Sequence, residues 1–323
     1  MHEHIVVLTL NHIGDVLFTE PAIAALRAGY KNATLIVVTS PEAKAVLANH
    51  PAIDELWERE RTFLGWVRLT LQLRALSPSL VVSFSPSSLR LALASFLSGA
   101  PKRFGFSFRP FLKHLFTKTL PFRPERHVVD DYLALAEAAG GKIKRRTPRL
   151  FVPDEELKIA REKLLELGWD GLTPLLGCLP FSSVARKEWG DNNFADLLAW
   201  ARKQFGFRPV VFGGEREKNR AEQIARQVDG ISAAGVLPLR VFIAAASFCA
   251  AFIGGDSGPV HLAAALGIPT LVLYGPTDPK RTGPLGKQVM IVRSPTGDLK
   301  GLPVADVQKQ LETFIASSKV TTQ

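Results

Sequence analysis

Asp256-Ser257-Gly258-Pro259-Val260-His261 sets a carboxylate, a hydroxyl and an imidazole around one expected helix start, a combination suited to holding an anion. Phe248 to Ile253 reads as a buried strand that ends in glycines. Ser257 is expected to cap the helix that follows, with Pro259 in its first turn and Gly267 stopping it after Leu266. Free backbone N–H groups at such a start attract anions by about 0.3–1 kcal/mol, and up to about 2 when partly buried. Ser257 adds a hydroxyl donor and His261 an imidazole N–H, so a diphosphate fits there. An ordinary capped turn with a buried histidine fits the same residues.

Three further loops carry unusual polar residues. In Asn11-His12-Ile13-Gly14-Asp15, Gly14 permits a sharp turn and Asp15 stands where a helix begins, as a cap or as part of a site. In Pro180 to Trp189, the hydroxyls of Ser182 and Ser183 and the point charge of Lys187 could clamp phosphate oxygens, or simply form an exposed loop. In Phe212-Gly213-Gly214-Glu215-Arg216-Glu217, Glu217 could accept hydrogen bonds from a ribose diol, or only favour a helix start. No G-x-G-x-x-G, Walker loop or G-x-S-x-G elbow is present. No Cys-x-x-Cys, Asp-x-Asp or His-Glu-x-x-His suggests a metal, and His2-Glu3-His4 reads as a frayed terminus.

The elements that must position these loops alternate along the chain. Ile5–Leu10, Leu35–Thr39 and Leu80–Phe84 are expected strands, and Val16–Ala28, Glu42–Asn49, Arg61–Leu76, Leu89–Leu97 and Val128–Ala139 expected helices. A basic, proline-bearing stretch from Arg145 to Pro153 separates a second series, with strands at Leu175–Leu179, Pro209–Phe212, Phe248 and Pro269–Tyr274. Helices are expected at Asp154–Leu167, Asn192–Gln204, Glu217–Gln227 and, amphipathically, Val304–Ile315. Such a rhythm implies parallel sheets covered on both faces, whose ligands bind at the carboxyl ends of strands. The length, 323 residues, allows two domains, each with its own core.

A 46% hydrophobic and 22% charged composition is that of a globular protein. No secretory signal is visible, and the longest apolar stretch, Val241–Ile253, is shorter than the roughly 18–20 residues that span a bilayer. Cys178 and Cys249 read as reduced core thiols of a cytosolic protein. The net charge of +10 is uneven: residues 1–153 hold 20 Lys and Arg against 12 Asp and Glu, and the remainder 20 against 18. The first half should meet something anionic. Between Lys102 and Arg126, basic residues including Arg103, Arg109 and Lys113 interleave with Phe104, Phe106, Phe108, Phe111, Phe116 and Phe122. That pattern suits an anionic membrane surface or stacked bases, or a phenylalanine core beneath a solvated basic face. No nucleic-acid-binding motif supports the bases.

Taken in order, the four loops resemble glycosyltransferase family 9, the ADP-heptose:lipopolysaccharide heptosyltransferases. The matching residues are Gly14-Asp15 with Pro21 in the next helix; Ser182, Ser183, Lys187 and Trp189 with Phe194 beyond; Gly213 to Glu217; and Asp256 to His261 with Tyr274-Gly275-Pro276-Thr277. The resemblance implies a GT-B architecture: two Rossmann-like, doubly wound domains facing across a cleft. Residues 1–153 would bind acceptor and 154–302 the nucleotide sugar, while the amphipathic terminal helix within 303–323 could pack back across either domain, the first included. By the same resemblance Asp15 is the general base, and Ser182, Ser183, Lys187, Ser257 and Gly258 hold the diphosphate with His261 nearby. Glu217 would hold the ribose, while Asp256 contacts the donor sugar or orients the site. The implied reaction is inverting transfer of heptose from ADP-heptose to a lipopolysaccharide inner-core acceptor, without metal or cofactor, at the cytoplasmic face of the inner membrane. An anionic lipid-linked glycan suits the basic first half, with His12, Arg103, Arg109 and Lys113 as acceptor or membrane contacts. Asn11-His12 stands where many members carry Ser, Arg or Lys, and Gly190 replaces a proline, so acceptor contacts and sugar can differ. A family-9-like enzyme with another nucleotide sugar, a non-catalytic nucleotide-sugar-binding protein and a GT-B epimerase are the alternatives.

Overall fold

The computed structural model describes residues 3–107 and 110–318, so Arg109 and Phe108 lie outside the described residues. The chain divides into two units, Met1–Phe151 and Val152–Gln323.

The first unit is built on six parallel strands: β1 (His4–Leu8), β2 (Thr34–Thr39), β3 (Glu55–Glu58), β4 (Leu80–Ser83), β5 (Lys102–Phe106) and β6 (Lys118–Leu120). Their spatial order is β3-β2-β1-β4-β5-β6. Val6 lies beside Ile36 on one side and Val81 on the other. Helices cover both faces, which is why Ile5, Val6, Val7 and Leu8 are all fully buried instead of alternating with polar residues. α1 (Ile13–Gly29), α2 (Pro41–Leu47) and α5 (Val128–Ala138) form one layer, and α3 (Phe63–Leu76) with α4 (Leu89–Leu97) the other. Beneath α3 and α4, Leu69, Leu73, Leu91 and Ala94 close over Val6, Leu8, Ile36, Val38 and Val81.

α1 departs from the expected start. It begins at Ile13, so Gly14 and Asp15 occupy its first turn, and Pro21 sits in its interior. Proline there removes one backbone hydrogen bond, and burial of Val16, Leu17, Phe18, Ala22 and Ile23 offsets the loss. One turn from Asp15, the fully buried Glu20 carboxylate accepts from His50 Nε2 at 2.6 Å, Arg145 Nη1 at 2.6 Å and the Arg149 amide at 2.9 Å. Burial pushes its pKa up, but these donors outweigh it and hold the carboxyl below its usual range.

The basic and aromatic stretch resolves into β5, β6 and a 3-10 turn at Pro110–Leu115. Phe106 and Phe116 are buried, and Phe106 and Phe122 pack edge-on at 5.0 Å between centroids. These rings are core, whereas Phe111 stands exposed.

The second unit repeats the winding with β7 (Leu175–Leu179), β8 (Arg208–Val211), β9 (Ile231–Ser232), β10 (Cys249–Gly255), β11 (Thr270–Tyr274) and β12 (Val289–Arg293), in the order β12-β11-β10-β7-β8-β9. Around them lie α6 (Asp154–Glu166), α7 (Asp191–Phe205), α8 (Lys218–Gln227), α9 (Leu239–Ala246), α10 (Gly258–Ala265), α11 (Pro279–Thr282) and α12 (Val304–Ser317). Of the two domains open to the terminal helix, α12 belongs to the second unit. It lies against α7, and Val307, Leu311, Phe314 and Ile315 enter the core that holds Phe194, Leu197 and Leu198. Its amphipathic stripe finds the nearest unfilled apolar surface. Buried Trp189 ties the same region together by donating to the Leu302 carbonyl at 2.7 Å. Cys178 and Cys249 are buried free thiols, and burial pushes Cys249 up to about 12.

Candidate active site

In the second sheet the strand order reverses between β7 and β10, which sit side by side at its centre. A doubly wound sheet opens a crevice at the carboxyl ends of such a pair, because the following helices leave to opposite faces. The loops that leave β7 and β10 meet there. Gly254 permits the approach: a Cβ on it would stand 2.6 Å from the Leu179 carbonyl oxygen and 2.7 Å from Val260 Cγ2. Across the meeting point, Lys187 Nζ donates to Asp256 Oδ2 at 2.6 Å, and Thr277 Oγ1 donates to the same oxygen at 2.7 Å. His261 Nε2 lies 3.3 Å from Asp256 Oδ1. Burial pushes the Asp256 carboxyl up, yet the bonds to His261, Lys187 and Thr277 prevail and hold it below the ordinary carboxylate range. Asp256 is therefore held ionised, with its oxygens engaged by Lys187, Thr277 and His261.

Ser257 takes the N-cap position of α10 with extended backbone, and Pro259 falls in the first turn as expected. Its hydroxyl does not cap the helix. The oxygen is buried and makes no hydrogen bond, a donor left available beside the backbone N–H groups of the helix start. α10 stops at Gly267, whose φ of +85° a side chain would strain.

The loop after β7 is braced from below. Glu188 accepts from the Ser182 amide at 3.1 Å and pairs with Arg220, which also grips Asp191 and lies over the Phe181 ring at 4.9 Å. Ser182 Oγ accepts from the Val184 amide at 3.2 Å, while Ser183 is exposed. Glu217 closes back on the start of its own turn, accepting from the Gly214 amide at 2.9 Å. One carboxylate oxygen is thus committed to the backbone, so the helix-start reading of Glu217 holds whether or not the other meets a sugar.

In the first unit, His12 is the exposed N-cap residue of α1, and Asp15 is partly exposed in its first turn. Next to this loop Arg59 donates to the Asn11 side chain and to the carbonyls of Thr9 and Leu10 at 3.2 Å. Burial, then the Arg61 charge, lowers the pKa of Arg59. A cavity of about 260 Å³ opens here, lined by Asn11, Arg59, Arg61, Trp66, Ser88 and Arg90 among others. Arg103, by contrast, is spent on the structure: it donates to the Ala100 and Leu115 carbonyls and lies over the Phe96 ring at 5.4 Å. Lys113 is exposed on the 3-10 turn. Among the described residues, no group of three or more His, Cys, Asp or Glu could hold a metal ion.

A family model described as glycosyltransferase family 9 (heptosyltransferase) matches residues 66–311. The chain belongs to glycosyltransferase family 9. It is 26% identical over 322 residues to lipopolysaccharide heptosyltransferase 2 of Escherichia coli K12, covering 91% of this chain and 88% of that protein. The crystal structure of a family 9 glycosyltransferase from Veillonella parvula shares its fold with a TM-score of 0.87 at 25% identity, over 98% of both chains. The structure of E. coli ADP-heptose lps heptosyltransferase II superposes with a TM-score of 0.83 at 22% identity, over 98% of this chain and 99% of the other. The fold is thus the GT-B class, with two Rossmann-like domains, and the protein is a glycosyltransferase, as the ordered loops implied.

Within this family 9 chain, the structure brings Lys187, Asp256, Ser257, Gly258 and His261 together at one crevice. Three residues around the loops received no role in the sequence reading. Thr277 holds Asp256 from 21 positions away, in the Tyr-Gly-Pro-Thr run already noted. Arg220 and Arg59 brace loops from other elements, and only their neighbourhood in space makes them visible.

Proposed function

We propose that the chain transfers heptose from ADP-heptose to the inner core of a lipopolysaccharide precursor, at the cytoplasmic face of the inner membrane. The observation that carries this reading is the Lys187–Asp256–Thr277 cluster with the buried Ser257 hydroxyl, at the switch point of the second sheet in a family 9 chain. A diphosphate bound there would draw the Lys187 ammonium, the Ser257 hydroxyl and the α10 amides, which together stabilise the charge that develops on the leaving group. His261 and Asp256 keep Lys187 in place, Ser182 and Ser183 lie on the loop above, and Glu217 is the ribose candidate. The kinship to proteins named lipopolysaccharide heptosyltransferase supports the sugar and the acceptor.

On the acceptor side, Asp15 is the general base. The acceptor hydroxyl oxygen attacks the anomeric carbon, its proton passes to the Asp15 carboxylate, and the bond from that carbon to the diphosphate oxygen breaks. ADP leaves, and the anomeric centre inverts in one displacement. Such a base contributes about 10²–10⁴ in rate. Arg59, Arg61 and Arg90 around the adjacent cavity suit phosphate or carboxylate groups of the acceptor, with His12 on the neighbouring loop; Lys113, and Arg109 outside the described residues, are further acceptor or membrane candidates.

A panel of nucleotide sugars tested with a delipidated core acceptor checks the reading. ADP-heptose should release ADP in proportion to glycosylated product. Asp15→Ala should lower kcat by about 10²–10⁴ and leave donor affinity nearly unchanged. Turnover within tenfold of the parent would remove Asp15 from this role, and donor binding without product would leave only a nucleotide-sugar-binding protein.

A further inference from the structure

Between Glu60 and Glu125 the chain contains ten Lys and Arg and no Asp or Glu. This acid-free stretch runs through α3, β4, α4, β5 and β6, one contiguous side of the first unit. Its two helices pack together in parallel: Trp66 Nε1 donates to the Arg90 carbonyl at 2.8 Å near their starts, and Arg74 Nη1 to the Leu97 carbonyl at 3.4 Å near their ends. One face of each helix enters the core through Leu69, Leu73, Leu91 and Ala94. The opposite faces carry further apolar side chains, interrupted on α3 by exposed Arg68, Gln72 and Arg74. Leu64 is 73% exposed and Leu71 64% exposed on α3, and Leu89, Phe96 and Leu97 stand out from α4. Their spacings, seven residues apart on α3 and seven to eight on α4, align them as outward stripes.

Exposed leucines and a phenylalanine gathered on two neighbouring helices form a patch of the kind that marks an interaction surface. The charge around the patch selects the partner. Arg68, Arg74 and Lys102 are exposed beside it, and Arg103 lies over Phe96. Apolar side chains rimmed by an excess of cations, with Glu60 paired to Arg68 as the acidic neighbour, match an anionic bilayer, where the leucines enter the acyl boundary and the cations stay among phosphates. Among the described residues no helix is long and apolar enough to cross a membrane, so the contact is peripheral. We propose that the outer face of α3 and α4 docks on an anionic lipid surface. The inference rests on the reading of a lipid-linked acceptor and gives it a location: Trp66 and Arg90, which line the arginine cavity, lie on these same two helices.

Co-sedimentation of the full-length protein with vesicles tests this. Vesicles of phosphatidylcholine with about a third phosphatidylglycerol should retain the protein at low salt, pure phosphatidylcholine should not, and about 0.5 M salt should release it. Leu64→Gln with Leu71→Gln, at exposed positions outside the cavity, should weaken partition by on the order of tenfold or more. The same variant should keep turnover on the delipidated acceptor, so a failure of transfer chemistry stays separate from a failure of docking. Equal binding to neutral and anionic vesicles, or partition unmoved by the double substitution, would overturn the proposal. So would a concentration-dependent dimer that the double substitution abolishes while no vesicle binding is seen.

Discussion

In the proposed diphosphate site, Lys187 and Asp256 divide the work between single residues. Asp256 is 6% exposed and Lys187 about a quarter exposed, so the carboxylate fixes the ammonium while leaving it open to a second anion. Hydrogen bonds to a charged group contribute about 1.5–3 kcal/mol. Lys187→Ala should therefore weaken binding of ADP and ADP-sugars by about 10–150-fold, while adenosine binding stays unchanged in calorimetry. Equal loss for adenosine would place Lys187 away from the phosphates. These residues were legible in the sequence because a hydroxyl, a lysine and a Gly-Asp-Ser-Gly turn carry their chemistry in their type. The braces were not. Arg220 pairs with Glu188 from 32 positions away, and Arg59 with Asn11 from 48; arginines are common on surfaces, and nothing local distinguishes these two. The capping role expected of Ser257 failed for a related reason: residue type indicates a cap, but only the rotamer decides where the hydroxyl points.

At the scale of elements, α1 joins site and scaffold. Asp15 lies in its first turn, and five residues later Glu20 anchors the helix to His50, Arg145 and the Arg149 amide. Removing one member of such a buried charged set leaves its partners uncompensated, so Glu20→Ala should cost about 3–5 kcal/mol in urea unfolding of the first unit. The pH sign follows from the lowered pKa. The folded state binds its proton more weakly than the unfolded state, so the stabilisation is complete above the ordinary glutamate range and disappears as pH falls through and below it. The parent should lose stability steadily from about pH 5 to 3, and Glu20→Ala less steeply. An unchanged slope would mean that Glu20 is not ionised in the fold. Long apolar elements such as β1, β4 and β10 announce themselves by composition. Short strands at or near the sheet edges do not: β3 is Glu-Leu-Trp-Glu, β6 Lys-Thr-Leu and β9 Ile-Ser. β3 and β6 carry charged residues where they meet water, and β9 is only two residues long, which erases the pattern that identifies central strands. The start of α1 was hidden by Gly14, a turn signal that helix burial overrode at about 1 kcal/mol.

Across the whole molecule, two sheets of identical winding carry very different charge. Residues 1–153 hold an excess of eight positive charges and the remainder only two. The doubly wound rhythm was readable because central parallel strands are continuous apolar runs. The segregation of charge was readable in part: the basic stretch from Lys102 stood out, but Phe106 and Phe116 turn inward, and a larger exposed apolar face lies earlier, on α3 and α4. That asymmetry has a kinetic consequence. A field of one sign spread over a surface raises the local concentration of an anionic substrate, and salt screens it, with a Debye length near 10 Å at about 0.1 M and 3 Å at about 1 M. In the proposed reading, donor binding rests on a compact, partly buried set of contacts around Lys187 and Asp256, which salt reaches far less. Raising salt from about 0.05 to 0.5 M should therefore increase KM for a soluble anionic core acceptor by on the order of tenfold. KM for the nucleotide sugar should move by no more than about threefold in the same steady-state series. Parallel shifts of both constants would mean that the excess charge of the first unit does not guide the acceptor, and its arginines would then have to act by contact alone.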